Sequence, residues 1–256
     1  EDRSNTPGDG KVGGEGMING KPVAIAGDDI TVKKGSSAIV GSRRIGRLYD
    51  RALERGMPYV YVGETGGGRI PDLIGAEGIA DVAPTLSVSR RRRQIPMATA
   101  IVGQSFGGSS FQSAFSDFVV QVRGSVLAVT SPRVFEIATG EVIGFEELGG
   151  VDVHSRITGQ IDLGVETFDE AYEAIQRWLS YLPQNAWSVS PRLDSRADMT
   201  PDHSLAGLIP SKRTRGYDMR RFCSTLFDAG SFMELQPGYA RNLTTCLLYT
   251  SPSPRD

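Results

Sequence analysis

The sequence is poor in the side chains that most often bind metals or form disulfides. Its 256 residues include two cysteines, Cys223 and Cys246, and two histidines, His154 and His203. Two cysteines are too few for a disulfide framework or a cysteine zinc site, and neither histidine has a further ligand at metal-binding spacing. We therefore predict that this chain holds no metal and works in a reducing compartment.

Long apolar runs and a strong charge imbalance are also absent. No apolar run reaches the ~18 residues of a membrane helix, and no basic leader precedes an apolar segment. The formal net charge is −2, so nothing favours binding to nucleic acid or to an anionic membrane. We predict neither partner, and a location in the bacterial cytoplasm, or in the mitochondrial matrix of a eukaryote.

Glycine, in contrast, is abundant. It accounts for 31 of 256 residues, or about 12%, against a typical usage of about 7%. Two glycine clusters stand out, Thr65–Arg69 and Ser105–Ser109. Each follows a short apolar run typical of a strand, Tyr59–Val62 and Met97–Val102 respectively, and the second cluster leads into a stretch compatible with a helix, 109–118.

Paired glycines at a strand-to-helix turn suggest a specific chemistry. They allow the backbone to approach a ligand closely and leave unpaired N–H groups at the positive end of a helix dipole. Neither cluster fits a phosphate-binding fingerprint, because the first lacks the Gly-Lys-Ser/Thr ending and the second does not read G-x-G-x-x-G. The clusters therefore predict stabilisation of an enolate or tetrahedral oxyanion, with plain tight turns as the alternative.

The remaining pattern alternates strands and helices. It predicts a helix over Ser42–Arg55 that ends at Gly56, and a long helix behind the capping box Thr167–Glu170. It also predicts a hairpin from Pro22–Ala26 and Ile30–Val32, and a second strand pair from Phe118–Val122 and Ser125–Thr130. We read Phe145–Thr158 as irregular. Repeated ββα-like units favour an α/β fold of the crotonase (ClpP/crotonase) spiral type over a doubly wound nucleotide-binding fold.

Several segments carry a family resemblance. Gly63–Arg69 is similar to D-S-G-G-A-R, Gly103–Ser109 to G-x-C-A-G-G-A, and Thr139–Gly150 to T-G-E-x-V-G-F-E-E-L-G-G, with His154 and Gly159 at matching positions beyond. Together they resemble the β-type carboxyltransferase subunits of biotin-dependent acyl-CoA carboxylases, such as propionyl-CoA and methylcrotonyl-CoA carboxylase. The chain departs from that pattern at Gly68 and at Ser105-Phe106, which could reshape the acyl pocket.

The resemblance implies transfer of CO2 from carboxybiotin to the α carbon of an acyl-CoA through an enolate. It implies that the N–H groups of Gly107 and Gly108 hold the thioester oxygen as it becomes an enolate. The residues expected to contact acyl-CoA are Gly66, Gly67, Gly68, Ser105, Phe106, Arg90 and Arg91. The two arginines would bind the CoA phosphates; the alternative is that they only face solvent.

Expected partners also follow from the resemblance. Biotin would be carried by a biotin carboxyl carrier domain and loaded by a biotin carboxylase subunit. The subunits would form a homo-oligomer in which the N-terminal half of one faces the C-terminal half of another, so this chain would hold only the acyl-CoA half-site.

The same comparison predicts the domain organisation. We expect a flexible N-terminal segment over 1–16, the N-terminal carboxyltransferase domain with a crotonase-like fold over 17–184, and a linker over 185–216. The start of a truncated C-terminal carboxyltransferase domain would cover 217–245, and 246–256 would be a non-native tail without a packing role.

Two alternatives stay open. A crotonase-type hydratase or isomerase would need a carboxylate beside the oxyanion turn, where the nearest candidate in sequence is Asp117. A non-catalytic CoA-binding or scaffold subunit would need none. For Arg69, for His154 and for the glutamates of the longest motif (Glu141, Glu146 and Glu147) we predict structural hydrogen bonding, capping or ion pairing.

Overall fold

The computed structural model describes residues 6–78, 93–191, 204–212, 214–228 and 230–249. The strands are β1 (Lys11–Ile18), β2 (Lys21–Asp28), β3 (Tyr59–Thr65), β4 (Met97–Phe106), β5 (Phe118–Val122), β6 (Val126–Ala128), β7 (Leu163–Val165), β8 (Met233–Leu235) and β9 (Thr245–Leu247). The α-helices are α1 (Ile39–Arg55), α2 (Gly108–Phe115), α3 (Pro132–Thr139), α4 (Phe145–Gly149), α5 (Val151–Val153), α6 (Phe168–Tyr181), α7 (Ser204–Leu208) and α8 (Met219–Leu226). None of the helices within these ranges is both long enough and apolar enough to cross a bilayer.

Seven strands form one sheet in the order β1-β2-β3-β4-β5-β7, with β6 also paired to β4. The β1–β2 pair is antiparallel and every other pair in this sheet is parallel. The ten-residue strand β4 pairs with β5 along 98–101 and with β6 along 104–106. Because β5 and β6 both run parallel to β4, they point in the same direction, and the predicted hairpin between them is wrong.

Helices cover both faces of the sheet, since successive side chains of a strand point to opposite faces. On one face α1 packs Tyr49 edge-on against Tyr59, with ring centroids 5.2 Å apart. On the other, α6 stacks Trp178 on Phe118, with centroids 5.3 Å apart. Two apolar layers therefore hold the parallel strands and fix where their carboxyl ends lie.

The N-terminal region differs from the prediction. Residues 6–16 are not a flexible segment, because Pro7–Gly10 forms a short turn and β1 pairs with β2 along its whole length. The predicted hairpin of Pro22–Ala26 with Ile30–Val32 is wrong for the same reason. Most of β1 is exposed, so it lacks the alternation of buried apolar residues by which a strand is recognised.

Residues Phe145–Thr158, predicted as irregular, are helical. They form α4, α5 and a π-helical turn, His154–Thr158. Helices α4 and α5 have only five and three residues, which is too short for an apolar periodicity to show.

The end of the described chain packs on the sheet domain. Strand β9 pairs antiparallel with β8. The ring of Tyr249 lies 4.3 Å from that of Tyr181, and its hydroxyl is 2.7 Å from Ser180 Oγ. The expectation that nothing from Cys246 onward has a packing role is therefore wrong for 246–249; residues 250–256 lie outside the described residues.

Candidate active site

The two glycine clusters meet at one edge of the sheet. Strands β3 and β4 are parallel neighbours, and Thr65 at the end of β3 pairs with Ser105 near the end of β4. The carboxyl ends of parallel strands lie on the same side of a sheet and are a common place for ligand binding. The structure thus brings together the two turns that the sequence separates by forty residues.

The first turn is bonded to the loop that follows β2. Gly66 N donates to Lys34 O at 3.0 Å, Ser37 N donates to Gly67 O at 2.8 Å, and Arg69 N donates to Ser37 O at 2.8 Å. This parallel bridge between Ser37 and Gly68 turns the N–H of Gly68 the other way, toward the side of β3 on which β4 lies. In the described part of the chain that N–H has no hydrogen-bond partner.

The second turn uses its two glycines differently. Gly107 has φ 64° and ψ −113°, which only glycine adopts without strain. Its N–H donates to Val129 O at 3.1 Å, and its carbonyl accepts from Ser110 N at 3.0 Å. The prediction that Gly107 supplies an oxyanion donor is therefore wrong. Gly108, the first residue of α2, has an N–H with no partner among the described residues, as expected at a helix start.

The two turns are in contact. A Cβ built on Gly67 would lie 3.9 Å from Phe106 Cβ, and one built on Gly108 would lie 3.9 Å from Ser37 Oγ. The N–H groups of Gly68 and Gly108, which have no partner among the described residues, thus belong to adjoining turns at one edge of the sheet. Backbone donors at such turns are the kind of group that stabilises an oxygen atom gaining negative charge.

A buried ion pair lies under the first turn. The Asp28 side chain is inaccessible to solvent, that of Lys11 is only 5% exposed, and the two contact each other directly. Asp28 also accepts from Tyr61 OH at 2.6 Å and from Glu64 N at 3.1 Å. Burial, together with the charge of Asp28, raises the pKa of Tyr61 well above its ordinary value, so Tyr61 remains a hydrogen-bond donor. The sequence carries no signal that marks Lys11 as part of the site.

A small cavity of about 40 Å³ adjoins Gly108. The residues lining it are Lys11, Ser37, Ser42, Ile45, Tyr61, Gly108, Ser109 and Gln112. Ser105 and Phe106, predicted to contact substrate, are both buried, and Phe106 packs against Phe145 with ring centroids 6.4 Å apart. In this structure both side chains lie in the protein interior, at the end of β4 that precedes the second turn.

Close packing also fixes the strands ahead of the turns. A Cβ built on Gly103 of β4 would lie 2.3 Å from Oε1 of Glu64 on β3. No side chain fits there while the Glu64 carboxylate keeps its place.

Arg69 has the structural role predicted for it. Its guanidinium bonds Asp9 at 2.5 Å, Asp72 at 3.2 Å and Ser36 Oγ at 3.2 Å, so it ties the N-terminal turn to the first glycine turn. Arg90 and Arg91 lie outside the described residues, and their contact with CoA stays a prediction.

His154 is a hydrogen-bonding residue, as predicted. Its Nε2 is 2.7 Å from Leu127 O and its Nδ1 is 2.9 Å from Thr158 Oγ1. Asp117 accepts from Met97 N at 3.0 Å, at the start of β4 and far from the glycine turns at its end. The carboxylate that the hydratase alternative would use is therefore misplaced.

Comparison with known proteins agrees with this arrangement. Residues 1–247 match the model of the carboxyl transferase domain. This chain belongs to the carboxyl transferase domain family. It is 31% identical over 245 residues to the methylmalonyl-CoA carboxyltransferase 12S subunit of Propionibacterium freudenreichii subsp. shermanii, covering 95% of this chain and 46% of that protein. It is 33% identical over 246 residues to the propionyl-CoA carboxylase beta chain of Roseobacter denitrificans, and this match covers 93% of this chain and 47% of that protein.

Solved structures show the same fold. The transcarboxylase 12S hexamer with methylmalonyl-CoA and methylmalonic acid bound matches with a TM-score of 0.89 at 30% identity, over 94% of this chain and 47% of that one. A single-chain, multi-domain long-chain acyl-CoA carboxylase matches with a TM-score of 0.82 at 26% identity, over 96% of this chain and 24% of that one. The predicted crotonase-like carboxyltransferase fold is confirmed, and the chain spans about half the length of the curated relatives it matches.

Proposed function

We propose that this chain provides the acyl-CoA half of an active site that transfers CO2 from carboxybiotin to the α carbon of an acyl-CoA. The observation that carries the proposal is a pair of N–H groups, those of Gly68 and Gly108, on adjoining turns at the carboxyl ends of β3 and β4, neither of which has a partner within the described ranges. Membership of a family of carboxyltransferases supports it.

The residues of this chain act by orientation and electrostatics. Gly68 and Gly108 donate to the thioester oxygen, and these bonds strengthen as the oxygen becomes that of an enolate. Carboxybiotin, when delivered, supplies the carboxyl group and the base that takes the α-proton. Two backbone donors fit one carbonyl oxygen, that of the thioester, so we assign the ureido carbonyl of biotin to residues outside this chain.

We further propose how the rest of the substrate binds. Gly66, Gly67 and the buried pair Ser105-Phe106 shape the acyl-CoA pocket. Lys33 and Lys34 are exposed and lie beside the first turn, where Lys34 O bonds Gly66 N. They join Arg90 and Arg91 as cations for the CoA phosphates.

The proposed assembly follows the relatives. One of them, transcarboxylase 12S, is a hexamer at the core of a multienzyme. We propose a homo-oligomer in which this region faces the C-terminal half of another subunit. A biotin carboxyl carrier domain and a biotin carboxylase subunit would act as partners, in the bacterial cytoplasm or the mitochondrial matrix.

Binding to two CoA derivatives tests the half-site on the 256-residue chain. Calorimetry would compare propionyl-CoA, a thioester, with S-propyl-CoA, a thioether that lacks the carbonyl oxygen. We expect tighter binding of the thioester, by roughly fivefold for the hydrogen bonds to its oxygen. Equal affinity for the two compounds would contradict the proposal, as would failure of the complete gene product to transfer carboxyl groups from carboxybiotin.

A further inference from the structure

We propose that Thr65 is a positioning residue that aims the Gly68 N–H at the substrate oxygen, through a hydrogen-bonded relay anchored by the buried cation of Lys11. This inference rests on the proposed function, because it concerns the donor that the function requires. It assigns a role in the oxyanion site to two side chains that make no contact with the substrate.

The relay runs through one backbone carbonyl. Lys11 Nζ donates to Gly35 O at 2.9 Å and Thr65 Oγ1 donates to the same oxygen at 2.7 Å. Thr65 Oγ1 in turn accepts from Gly67 N at 3.2 Å. The hydroxyl of Thr65 thus joins the fixed loop at Gly35 to the residue that immediately precedes the donor.

The loop at Gly35 is held in an unfavourable conformation. Lys33 and Lys34 have φ 49° and 56°, values that side-chain-bearing residues rarely adopt. Gly35 has φ +61°, and a Cβ on it would lie 2.6 Å from Glu64 O. Such backbone persists only where surrounding contacts over-determine it, and Lys11, Thr65 and the Gly66 N–H supply those contacts.

The relay controls the direction of one peptide plane. Gly67 has φ 102° and no side chain, so its own packing does little to restrain the plane that carries the Gly68 N–H. The bond from Gly67 N to Thr65 Oγ1 and the bond from Ser37 N to Gly67 O hold the two ends of Gly67. Loss of the first bond removes the restraint on the amide side of Gly67 and leaves its carbonyl held only by Ser37 N, while the donor stays chemically intact.

A matched pair of substitutions separates positioning from packing. Thr65→Val keeps the shape of this fully buried side chain and removes the hydroxyl, whereas Thr65→Ser keeps the hydroxyl. In the motif D-S-G-G-A-R, to which Gly63–Arg69 is similar, serine stands at this position. The readout is the infrared carbonyl stretch of propionyl-CoA labelled with ¹³C at the thioester carbon, recorded on binding to the 256-residue chain, because polarisation by N–H donors lowers that frequency.

We expect the wild type and Thr65→Ser to lower the carbonyl frequency and Thr65→Val to lose at least half of that shift. We also expect Thr65→Val to reduce the roughly fivefold preference for the thioester over S-propyl-CoA to about twofold, because the Gly108 N–H still donates, with affinity for S-propyl-CoA unchanged. If Thr65→Val does not fold, as judged by circular dichroism, Thr65→Ala compared with Thr65→Ser provides the test, because these two variants differ only in the hydroxyl.

Two results would overturn the inference, and they differ. A full frequency shift in Thr65→Val would leave the proposed function standing and show that the relay has no positioning role. Absence of any shift in the wild type would remove the Gly68 and Gly108 donors themselves, and this inference with them.

Discussion

The adjacent glycines of the second turn have separate tasks at the residue scale. Gly107 is required for its backbone conformation, and its N–H is already bonded to Val129. Gly108 is the first residue of α2, and its N–H has no partner in the part of the chain that the structure describes. The role proposed for Gly108 therefore depends on one N–H group, which substitution can remove.

Replacing Gly108 with proline deletes that N–H, while the first position of a helix accepts the proline ring. We expect Gly108→Pro in the complete gene product to lower kcat by about 10²–10³, with a smaller change in KM for acyl-CoA. Gly108→Ala is the matched control, since it keeps the N–H and its Cβ meets only Ser37 Oγ at 3.9 Å. Steady-state kinetics that give both variants the same kcat would count against the donor role.

The buried Lys11–Asp28 pair is also a residue-scale feature, and it affects stability. Lys11→Met leaves the fully buried Asp28 carboxylate without its counter-charge, so we expect a loss of about 3–5 kcal/mol in unfolding free energy. Adding Asp28→Asn removes the stranded charge and we expect it to restore much of the loss. Urea denaturation measures both. A loss below ~1 kcal/mol in the single variant would be incompatible with a buried pair.

At the scale of elements, Asp162 joins β5 to the segment before β7. Its carboxylate accepts from Val119 N at 2.8 Å, and burial raises its pKa above the ordinary value. The folded state therefore binds a proton on the Asp162 carboxyl group more tightly than the unfolded state does. The stability that Asp162 contributes is complete below its unfolded pKa and is lost as the pH rises through the folded pKa.

We accordingly expect Asp162→Asn, which keeps an oxygen acceptor, to unfold at a higher temperature than the wild type at pH 7. The advantage should shrink as the pH falls below about 4. Calorimetric melting across that pH range measures it, and Asp50→Asn, on the exposed face of α1, controls for loss of one charge. A constant difference at all pH values would refute the assignment.

Elements with a strong local pattern were predictable. The apolar stripe of α1 and its stop at Gly56, which has φ 62°, were read correctly, as was the capping box of α6, where Thr167 Oγ1 accepts from Glu170 N. The pairing of β6 with β4 was not predictable, because three residues carry no information about their partner.

The site was predictable to the level of its turns but not of its atoms. The glycine clusters marked the correct strand ends, since glycine content is a local signal. Which N–H stays unpaired depends on the carbonyls of Val129 and Ser37, and these arrive from elsewhere in the fold. Lys11 was missed for the same reason, because its partner Asp28 lies across the β1–β2 pair.

At the scale of the whole molecule, the described chain exposes several apolar side chains in and between α3 and α4. Val134, Ile137, Val142 and Phe145 are between 45% and 83% exposed. Apolar groups gathered in this way favour association, and the chain spans only about half of its relatives.

We therefore expect the 256-residue chain to bind acyl-CoA weakly, to transfer no carboxyl group by itself, and to self-associate as its concentration rises. Sedimentation velocity measures the association, which Ile137→Glu combined with Val142→Glu should reduce. Val189→Glu, at an equally exposed site outside α3 and α4, is the control. Carboxyl transfer by the chain alone, or equal association of all variants, would contradict this expectation.

The close approach of Glu64 to Gly103 has an evolutionary consequence. Since a methyl group on residue 103 would collide with the Glu64 carboxylate, a side chain gained at 103 requires Glu64 to adopt another rotamer or to be replaced by a shorter residue. The two positions are therefore expected to covary among descendants of this sequence. Reconstructed ancestors in which residue 64 is small would accept a side chain at 103 without that rearrangement.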